Sequence, residues 1–304
     1  MNGYPVMLRP KGGSRIIEFG TTGIICQSGC NPSQVIKGPL KHNLDGCSAD
    51  VIETTLYLEK HAELCIEREK TIYRALPKDP NILDCISITD SGIILPFMRL
   101  GNLRDYLRQH DRNIQMEMRM QWIHMAIEAI SSIHRLEIIH ADISARNFLV
   151  AENLSIKLCD FSGSAIGGQT PLVAEEERYQ MAPDSPRSIA TDIFALGCLI
   201  FEIVTGRRPY DNIEDQNVEE VQRRYAAAIY PCIDGIPFGE IINKCWTCQY
   251  QNIEQLKLDL PTARHKNRRT ENTKGLLCLV TPTILFAIGV LAFRQLKPTQ
   301  LCRS

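Results

Sequence analysis

Repeats and low-complexity tracts are absent from this 304-residue sequence, which excludes repeat architectures. Hydrophobic residues make up 44% and charged residues 23% of the chain, as in ordinary globular proteins and unlike disordered or collagen-like chains. The chain can therefore bury a packed core, and its length allows one or two compact units.

An apolar signal core is also lacking at the amino terminus, whose sequence is MNGYPVMLRPKGGS. The twelve cysteines are therefore expected to be reduced thiols, since disulfide frameworks are typical of short secreted chains. Cys245 and Cys248 form a C-x-x-C pair, but no second pair stands at the spacing of a zinc site. We expect these two side chains to serve in helix packing rather than in metal binding.

The formal net charge of -1 conceals an asymmetry along the chain. The last 44 residues hold eight basic residues and one acidic residue, which leaves 26 basic and 34 acidic residues in positions 1–260. An acidic body argues against binding to nucleic acid, whereas a basic tail beside an apolar run suits the cytosolic face of a membrane.

Strand-like runs fill the first part of the chain, including IIEFGTTGII and SQVIKGPL, and a charged, helix-favouring stretch follows over residues 57–76. We expect a strand-rich first lobe with one helix. The segment GNLRDYL then opens like a helix, with Asn102 as N-cap and Asp105 three residues later in a capping-box-like arrangement.

Two apolar segments predict helices in a second lobe. The first ends just before IIHADISARN and carries one apolar stripe at helical spacing, formed by Ile123, Ala126, Ile127, Ile130 and Ile133. The second, SIATDIFALGCLIFEIVTG, is apolar nearly all round and ends at Gly206, as a helix buried inside a large lobe does. Its acidic residues exclude a membrane span.

The strongest local signal is the run from His140 to Asn147, HADISARN, followed thirteen residues later by Asp160 in the sequence DFSG. Together the two motifs resemble those of the protein kinase family, in which phosphoryl transfer needs a carboxylate that accepts the proton of the incoming hydroxyl, and oxygen ligands that hold magnesium on the phosphates. Asp142 fits the first task, and its spacing from Asn147 puts both on one loop. Ordinary turn carboxylates are the alternative, but two motifs in the correct order make it a poor one.

These motifs resemble the catalytic core of the protein kinase family, and the resemblance to divergent eukaryotic members covers about residues 14–260. It implies an α+β, two-lobed kinase fold, with a small β-rich N-lobe containing one main helix and a larger, mainly helical C-lobe. It also implies ATP and Mg²⁺ as cofactors, Asp142 as the catalytic carboxylate, and Asn147 and Asp160 as metal ligands. His140 and Asp192 would support this loop, Asp192 by accepting backbone N–H groups.

The resemblance also assigns residues upstream. Gly20 and Gly23 match the last two glycines of the phosphate loop, although Glu18 occupies the place of the first glycine. Lys37, fourteen residues past Gly23, matches the lysine that contacts the phosphates. Glu69 matches the glutamate that pairs with this lysine. Glu67 is the alternative if the register differs, and either glutamate could instead be solvated surface.

The segment Leu95-Pro96-Phe97-Met98 lies where the family has its interlobe hinge, with Leu95 as the gatekeeper. Pro96 lacks an N–H group, but the adenine amino group requires only its carbonyl. Further along, the segment from Met181 to Asp184 resembles the end of an activation segment, and the interval from Asp192 to Gly197 matches the following helix. These two segments separate protein kinases from small-molecule phosphotransferases.

Several positions depart from the family pattern. Ala141 replaces the arginine that receives an activation-loop phosphate in many members, and the activation segment is short. We therefore predict activity that does not require phosphorylation there, although Thr170 could be modified. Ser162 replaces a glycine, which should restrict backbone flipping. Asp184 replaces the usual glutamate and Ile253 its basic partner, so both halves of a buried ion pair are altered together.

The acceptor residue type stays open, because Ser144 and Arg146 resemble the tyrosine-directed arrangement more than the serine/threonine one without deciding between them. A protein substrate is expected in either case. A pseudokinase or nucleotide-binding scaffold is the alternative of a different class, and Glu18, Ala141 and Ser162 leave room for it. A small-molecule phosphotransferase is the second alternative.

The end of the chain predicts a membrane anchor. Residues 275–293, GLLCLVTPTILFAIGVLAF, form nineteen uncharged positions, about the length of one span. A basic linker over residues 261–274 precedes them and a tail over 294–304 follows, so the kinase body should stay cytosolic at an intracellular membrane. A buried helix, or sequence outside the functional protein, is the alternative. The remaining boundaries are an extension at 1–13, an N-lobe with hinge at 14–98 and a C-lobe at 99–260.

Overall fold

The computed structural model describes residues 3–182 and 185–260. Met1–Lys257 form one compact unit, and Leu258–Ser304 are assigned to a second unit of which only three residues are described. The basic linker, the predicted span at 275–293 and the final tail lie outside the described residues, as do Pro183 and Asp184.

The amino-terminal part of the compact unit is strand-rich and contains one long helix. Its elements are β1 (Val6–Met7), β2 (Gly13–Phe19), β3 (Ile24–Ser28), β4 (Gln34–Gly38), β5 (His42–Asn43), α1 (Ala49–Ala75), β6 (Ser87–Thr89) and β7 (Gly92–Pro96). Five of the strands form one antiparallel sheet in the order β2-β3-β4-β7-β6, while β1 pairs separately with β5. This arrangement confirms the predicted strand-rich lobe with one helix.

Helix α1 begins earlier than the sequence pattern indicates. The predicted start was Tyr57, whereas the helix begins at Ala49, eight residues before it. The first two turns contain β-branched residues, which have low helix propensity. The Thr54 and Thr55 hydroxyls donate instead to carbonyls one turn back, at 2.9 and 2.7 Å. These bonds accommodate the threonines within the helix.

The carboxyl-terminal part is mainly helical. Its elements are α2 (Leu103–His110), α3 (Met116–His134), β8 (Ile138–Ile139), β9 (Phe148–Val150), β10 (Ile156–Leu158), β11 (Ala165–Ile166), α4 (Ile189–Thr205), α5 (Val218–Ala226) and α6 (Gly239–Trp246). A further helical segment begins at residue 253. The α+β, two-lobed kinase architecture predicted from the sequence is confirmed.

Helix ends in this part follow the predicted capping signals. The Asn102 side chain accepts a hydrogen bond from the Asp105 backbone N–H at 2.9 Å and so caps α2. Helix α4 ends at Gly206, whose φ of 71° lies in the left-handed region. A side chain at Gly206 would also collide with the Asp111 side chain, which lies in the turn after α2. Both helix boundaries are therefore set by local chemistry.

The core of the helical part forms around α3 and α4. Helix α4 is buried along nearly its whole length, as its continuous apolar sequence predicts. Cys245 of α6 packs against Gly197 of α4, where an added Cβ would lie 2.6 Å from the Cys245 Cβ. Trp246 donates its indole N–H to the Cys198 sulfur at 3.1 Å. Cys245 therefore packs within a helix as expected, whereas Cys248 lies beyond the end of α6 and is exposed, so the expectation of helix packing is wrong for Cys248.

The described cysteines are free thiols. Within the described ranges no cluster of potential ligands could hold a metal ion. In the same part of the chain, every helix is too short or too polar to cross a bilayer.

Candidate active site

Lys37 lies at the centre of a buried ionic cluster. It is a residue of β4, the middle strand of the sheet, and only 4% of it is exposed. Its Nζ lies 2.7 Å from Glu69 Oε2 of α1 and 2.7 Å from Asp160 Oδ1. Burial alone would lower the pKa of Lys37, but the two carboxylates outweigh burial and raise it. The lysine is therefore held as a cation.

The structure distinguishes between the two glutamates proposed as partners of this lysine. Glu69 faces inward and is fully buried, whereas Glu67 faces outward and pairs with Lys70 at 2.7 Å. The Phe161 backbone N–H also donates to Glu69 Oε1 at 3.4 Å. Glu69 is thus the residue that joins α1 to the sheet and to the segment after Asp160.

Asp160 follows β10 and adopts a left-handed backbone conformation with φ of 64°. Its Oδ1 accepts hydrogen bonds from Lys37 Nζ at 2.7 Å and from the Ser162 hydroxyl at 2.6 Å. Burial would raise the pKa of Asp160, but Lys37 and Ser162 lower it to about 2. The carboxylate is therefore ionised at neutral pH, with its Oδ1 already occupied.

Asp142 and Asn147 share the loop between β8 and β9. Asn147 donates its side-chain N–H groups to the Asp142 carbonyl at 2.7 Å and to Asp142 Oδ2 at 2.9 Å. Burial, followed by repulsion from Asp160, raises the pKa of Asp142 to about 7. A carboxylate with such a pKa accepts a proton more readily near neutral pH than an exposed aspartate does.

The site contains oxygen atoms suited to a hard cation. Asn147 points its amide nitrogen at Asp142, and Asp160 uses Oδ1 for its protein partners. Asn147 Oδ1 and Asp160 Oδ2 make no hydrogen bond within residues 3–182 and 185–260. An amide oxygen and a carboxylate oxygen are ligands that magnesium accepts. The donor set therefore fits the metal that the sequence predicts.

Asp192, at the start of α4, holds the backbone before Asp142 in place. Its oxygens accept the N–H groups of His140 at 2.8 Å and Ala141 at 2.9 Å, as the sequence predicts, and they also lie 2.9 Å from His134 Nε2. Ala141 has a φ of 63°, a strained value for a residue with a side chain. Asp192 is fully buried and stabilises this conformation.

His140 packs beneath the site. Its Nε2 lies 3.1 Å from the Cys159 carbonyl oxygen, and its ring centre lies 5.4 Å from that of Phe161. Burial lowers the pKa of His140, so the neutral ring donates to the carbonyl. Phe161 also makes an edge contact with Tyr73 of α1, with ring centres 5.5 Å apart. These rings connect α1 to the catalytic loop.

The predicted phosphate loop is the tight turn between β2 and β3. The Gly20 backbone N–H donates to the Gly23 carbonyl at 3.0 Å. An added Cβ at Gly20 would meet nothing within 4 Å, whereas one at Gly23 would lie 2.6 Å from the Gly38 carbonyl of β4. Strand packing therefore requires Gly23 to be glycine, independently of any phosphate.

The first two residues of the predicted hinge, Leu95 and Pro96, are the last two residues of β7, and Phe97 and Met98 follow the strand. Leu95 is buried, and β7 pairs with β4 so that Leu95 lies opposite Val35 and Pro96 opposite Gln34. Phe97 donates its N–H to the Ser33 carbonyl at 2.8 Å. The chain then reaches Met98, whose carbonyl accepts a bond from the Gly101 N–H at 3.1 Å. This segment is an ordered connection between the sheet and α2.

Arg68, which sequence reasoning missed, anchors the segment after Asp160. Its guanidinium donates to the carbonyls of Ser164 at 2.6 Å and Thr170 at 3.1 Å. Leu172 donates its N–H to the Gly163 carbonyl at 2.8 Å, which folds the segment back on itself. The position of Arg68 beside Glu69 on the predicted helix was the one available signal.

A second missed network lies where this segment approaches α4. Arg104 of α2 pairs with Glu202 of α4 at 2.8 Å and with Glu176 of the segment at 2.6 Å. The Tyr179 hydroxyl also donates to Glu202. Arg104, Tyr179 and Glu202 are buried and Glu176 is partly buried, and because the four groups satisfy one another, they fix the segment against both helices. The sequence gives no local sign of a network spanning about a hundred residues.

Comparison with known proteins places this geometry in a family. The family described as protein tyrosine and serine/threonine kinase matches residues 29–256. The tyrosine-protein kinase transforming protein Abl of Abelson murine leukemia virus is 32% identical over 187 residues, covering 56% of this chain and 24% of that protein. The mouse serine/threonine-protein kinase Nek9 (Mus musculus) is 31% identical over 201 residues, covering 61% and 20% respectively.

A further relative is the epidermal growth factor receptor of Apis mellifera, 26% identical over 185 residues, with 55% of this chain and 14% of the receptor covered. The chain spans less than a quarter of the length of these three curated relatives. They include tyrosine and serine/threonine kinases, so they leave the acceptor type open. The family match covers most of the compact unit, and the chain therefore belongs to the protein tyrosine and serine/threonine kinase family, whose members use ATP and Mg²⁺.

Proposed function

We propose that this protein transfers the γ-phosphate of ATP to a hydroxyl group of a protein substrate. The observation that carries the proposal is the convergence of Lys37, Glu69 and Asp160, with 2.7 Å between Lys37 Nζ and each carboxylate. Residues from a strand, a helix and a loop far apart in sequence meet there. A cluster of this kind, beside the loop that contains Asp142 and Asn147, supports a catalytic role more than a structural one.

Each side chain has a task in this proposal. Asp142 accepts the proton of the substrate hydroxyl, consistent with its raised pKa of about 7. Lys37 contacts the nucleotide phosphates, and Glu69 keeps its ammonium group in position. Asn147 Oδ1 and Asp160 Oδ2 hold Mg²⁺, which neutralises charge on the phosphate oxygens.

The nucleotide would be held by groups at both ends of the cleft. The Pro96 carbonyl and the Met98 N–H pair with the adenine edge, and Leu95 lines the space behind it. Gly20 and Gly23 bring backbone amides to the phosphates. His140 and Asp192 keep the catalytic loop in place without touching the substrate.

The experiment is a phosphotransfer assay with radiolabelled ATP and generic protein substrates. It compares wild type with Asp142→Asn, Asp160→Asn and the control Asp234→Asn, whose carboxylate is exposed and remote from the cluster. Wild type and the control should transfer phosphate, while the two site variants should lose at least about a hundredfold in rate. Phosphoamino-acid analysis of the product identifies the acceptor. Equal rates in all four proteins would refute the proposal.

A nucleotide-binding scaffold without catalysis is the second candidate. The observation that favours it is the hydrogen bond from the Ser162 hydroxyl to Asp160 Oδ1, a second side-chain donor beside Lys37 that a glycine in that place would lack. A scaffold would bind ATP with Mg²⁺, detectable as a rise in the unfolding temperature, while giving no product. Replacement Ser162→Gly would then restore transfer, whereas in an active kinase it would leave the rate within a few-fold of wild type.

We propose that the kinase is active without phosphorylation of its activation segment. The contacts of Arg68 with the Ser164 and Thr170 carbonyls support this, because they supply the anchoring that a phosphate would provide in other members. The presence of Ala141 in place of an arginine points the same way. Thr170→Ala should leave the rate unchanged, and loss of turnover in that variant would refute it.

Membrane anchoring is a separate proposal that rests on the sequence. The uncharged run at 275–293 and the basic residues before it support a single span with the kinase body on the cytosolic side of an intracellular membrane. A fluorescent fusion of residues 261–304 tests it. A diffuse cytosolic signal would rule the anchor out and leave the phosphotransfer proposal intact.

A further inference from the structure

A cavity of about 850 Å³ lies between the end of α2, the end of α4, and α5 with the loop that follows it. We call it the arginine pocket, since its walls include Arg108, Arg207, Arg208 and Arg224 together with the rings of Tyr210 and Tyr230. None of the residues assigned above to nucleotide, metal or catalysis lines it. The kinase reaction therefore does not explain why arginine and tyrosine side chains line this pocket.

The pocket carries positive charge that its own carboxylates do not cancel. Asp111 and Asp211 are the acidic residues of the lining, against four arginines. Asp111 is already paired with Arg119, a residue outside the lining, at 2.6 Å. Asp211 accepts from Arg208 at 3.1 Å. At least two guanidinium groups therefore lack a carboxylate partner from the lining itself.

Two of the four arginines remain open to a ligand. Arg224 is held by Glu220 at 2.8 Å, and Arg208 also contacts Asp215 and Glu176. Arg207 is exposed and makes no ion pair within residues 3–182 and 185–260. Arg108 is 55% exposed and only 4.0 Å from Asp105, the outer limit of an ion pair.

This local positive charge stands on an acidic protein body. Residues 1–260 contain 26 basic and 34 acidic side chains. A positively charged patch on a negatively charged surface concentrates anions at one place. Guanidinium groups suit phosphate because their planar N–H groups match its oxygens in bidentate pairs.

The aromatic part of the lining indicates what accompanies the anion. The Tyr210 hydroxyl donates to the Ile229 carbonyl at 2.6 Å, and the Tyr230 hydroxyl donates to the Trp246 carbonyl at 2.8 Å. Both phenol groups are therefore satisfied. Tyr210 is buried, whereas Tyr230 is partly exposed, so the apolar surface open to a ligand is mainly that of the Tyr230 ring. Tyr210 also lies under the Arg224 guanidinium at 5.3 Å, and Tyr230 stacks on Trp246 at 5.6 Å, so both rings are held rigidly.

We propose that the arginine pocket binds a phosphotyrosine side chain of a protein partner. A phosphotyrosine combines a phosphate for Arg108 and Arg207 with an aromatic ring for the partly exposed Tyr230 ring. The cavity has the size of sites that enclose a large side chain and its neighbours, and it is several times larger than a lone phosphate requires. Arg208 links the pocket wall to Glu176 of the activation segment at 3.7 Å, so a bound partner lies beside that segment.

Fluorescence anisotropy of a labelled peptide with one phosphotyrosine, measured without ATP, tests this binding independently of catalysis. The same peptide with tyrosine or phosphoserine, and inorganic phosphate as a competitor, are measured beside it. The phosphotyrosine peptide should bind, and the double variant Arg108→Ala/Arg207→Ala should weaken it roughly tenfold, because both arginines are partly solvated.

The matched control is Arg112→Ala/Arg223→Ala, which removes the same charge from neighbouring exposed positions outside the lining. It should bind the peptide as wild type does. Unfolding temperatures within a degree or so of wild type show that both double variants are folded. Equal binding of the tyrosine or phosphoserine peptide, equal loss in the control, or displacement by phosphate at the peptide's own concentration would each overturn the proposal.

Discussion

Replacement Asp192→Asn should both destabilise the protein and slow its catalysis. The carboxylate is fully buried and satisfies three donors, the backbone N–H groups of His140 and Ala141 and the His134 ring, at 2.8 to 2.9 Å. Asparagine has the same shape, but only one of its two terminal atoms accepts hydrogen bonds. Its amide nitrogen would therefore face an N–H group whose hydrogen bond the Asp192 carboxylate now accepts.

The size of the effect follows from these bonds. A hydrogen bond to a charged group contributes about 1.5–3 kcal/mol, and a buried donor without a partner costs about 1–3 kcal/mol. Asparagine keeps some of the bonds, so we expect a loss of about 2–4 kcal/mol in the free energy of unfolding. At roughly 2–4 °C per kcal/mol for a protein unit of this size, the unfolding temperature should fall by about 4–16 °C.

Calorimetry and phosphotransfer rates measure the two consequences. Because Ala141 is held in a strained conformation next to Asp142, loosening it should lower kcat by about tenfold or more, while KM for ATP changes little. Lys37, Glu69 and Asp160 keep their own contacts. The control Asp234→Asn should match wild type in both measurements. An Asp192→Asn variant with wild-type unfolding temperature and kcat would refute the role given to this carboxylate.

Three further predictions follow from the same contacts. Lys37→Met should remove the cation between Glu69 and Asp160 and abolish binding of ATP with Mg²⁺. Calorimetric titration measures this binding. Unimpaired binding would contradict the role of Lys37 in contacting the phosphates. Arg68→Ala should increase the rate of backbone hydrogen exchange around Ser164 and Thr170. The control Arg74→Ala, at an exposed position of the same helix, should not increase it. Equal exchange rates in the two variants would contradict the anchoring role of Arg68. Burial raises the pKa of the Cys245 thiol, so iodoacetamide at pH 8 should alkylate the exposed Cys30 and Cys232 long before Cys245. Mass spectrometry measures the order of alkylation. Simultaneous alkylation of all three would contradict the packing of α6.

Periodicity predicted most of the secondary structure because each element presents one face to a core. The stripe from Ile123 to Ile133 lies buried in α3, and the continuous apolar run after Ser188 is the buried helix α4. The start of α1 was missed because its first turns contain several β-branched residues with low helix propensity. The two threonines among them donate their hydroxyls to carbonyls of the preceding turn, which periodicity does not record.

The sequence by itself determined the kinase motifs and therefore the family, since their order and spacing follow from the chemistry of phosphate and magnesium. It also proposed the pairing of Lys37 with a glutamate, but the choice between Glu69 and Glu67 depends on which side of α1 faces the sheet. Packing of α1 against the sheet decides that, and a local pattern does not.

Only the tertiary structure revealed contacts between residues far apart in the chain. Arg68 reaches carbonyls about a hundred residues away, and Arg104 meets Glu202 across a similar interval. The arginine pocket likewise combines residues of three helices and of the segment that follows each of them. Such contacts arise because formation of the core brings distant segments together. The sequence around a charged residue does not indicate which distant residue will become its partner.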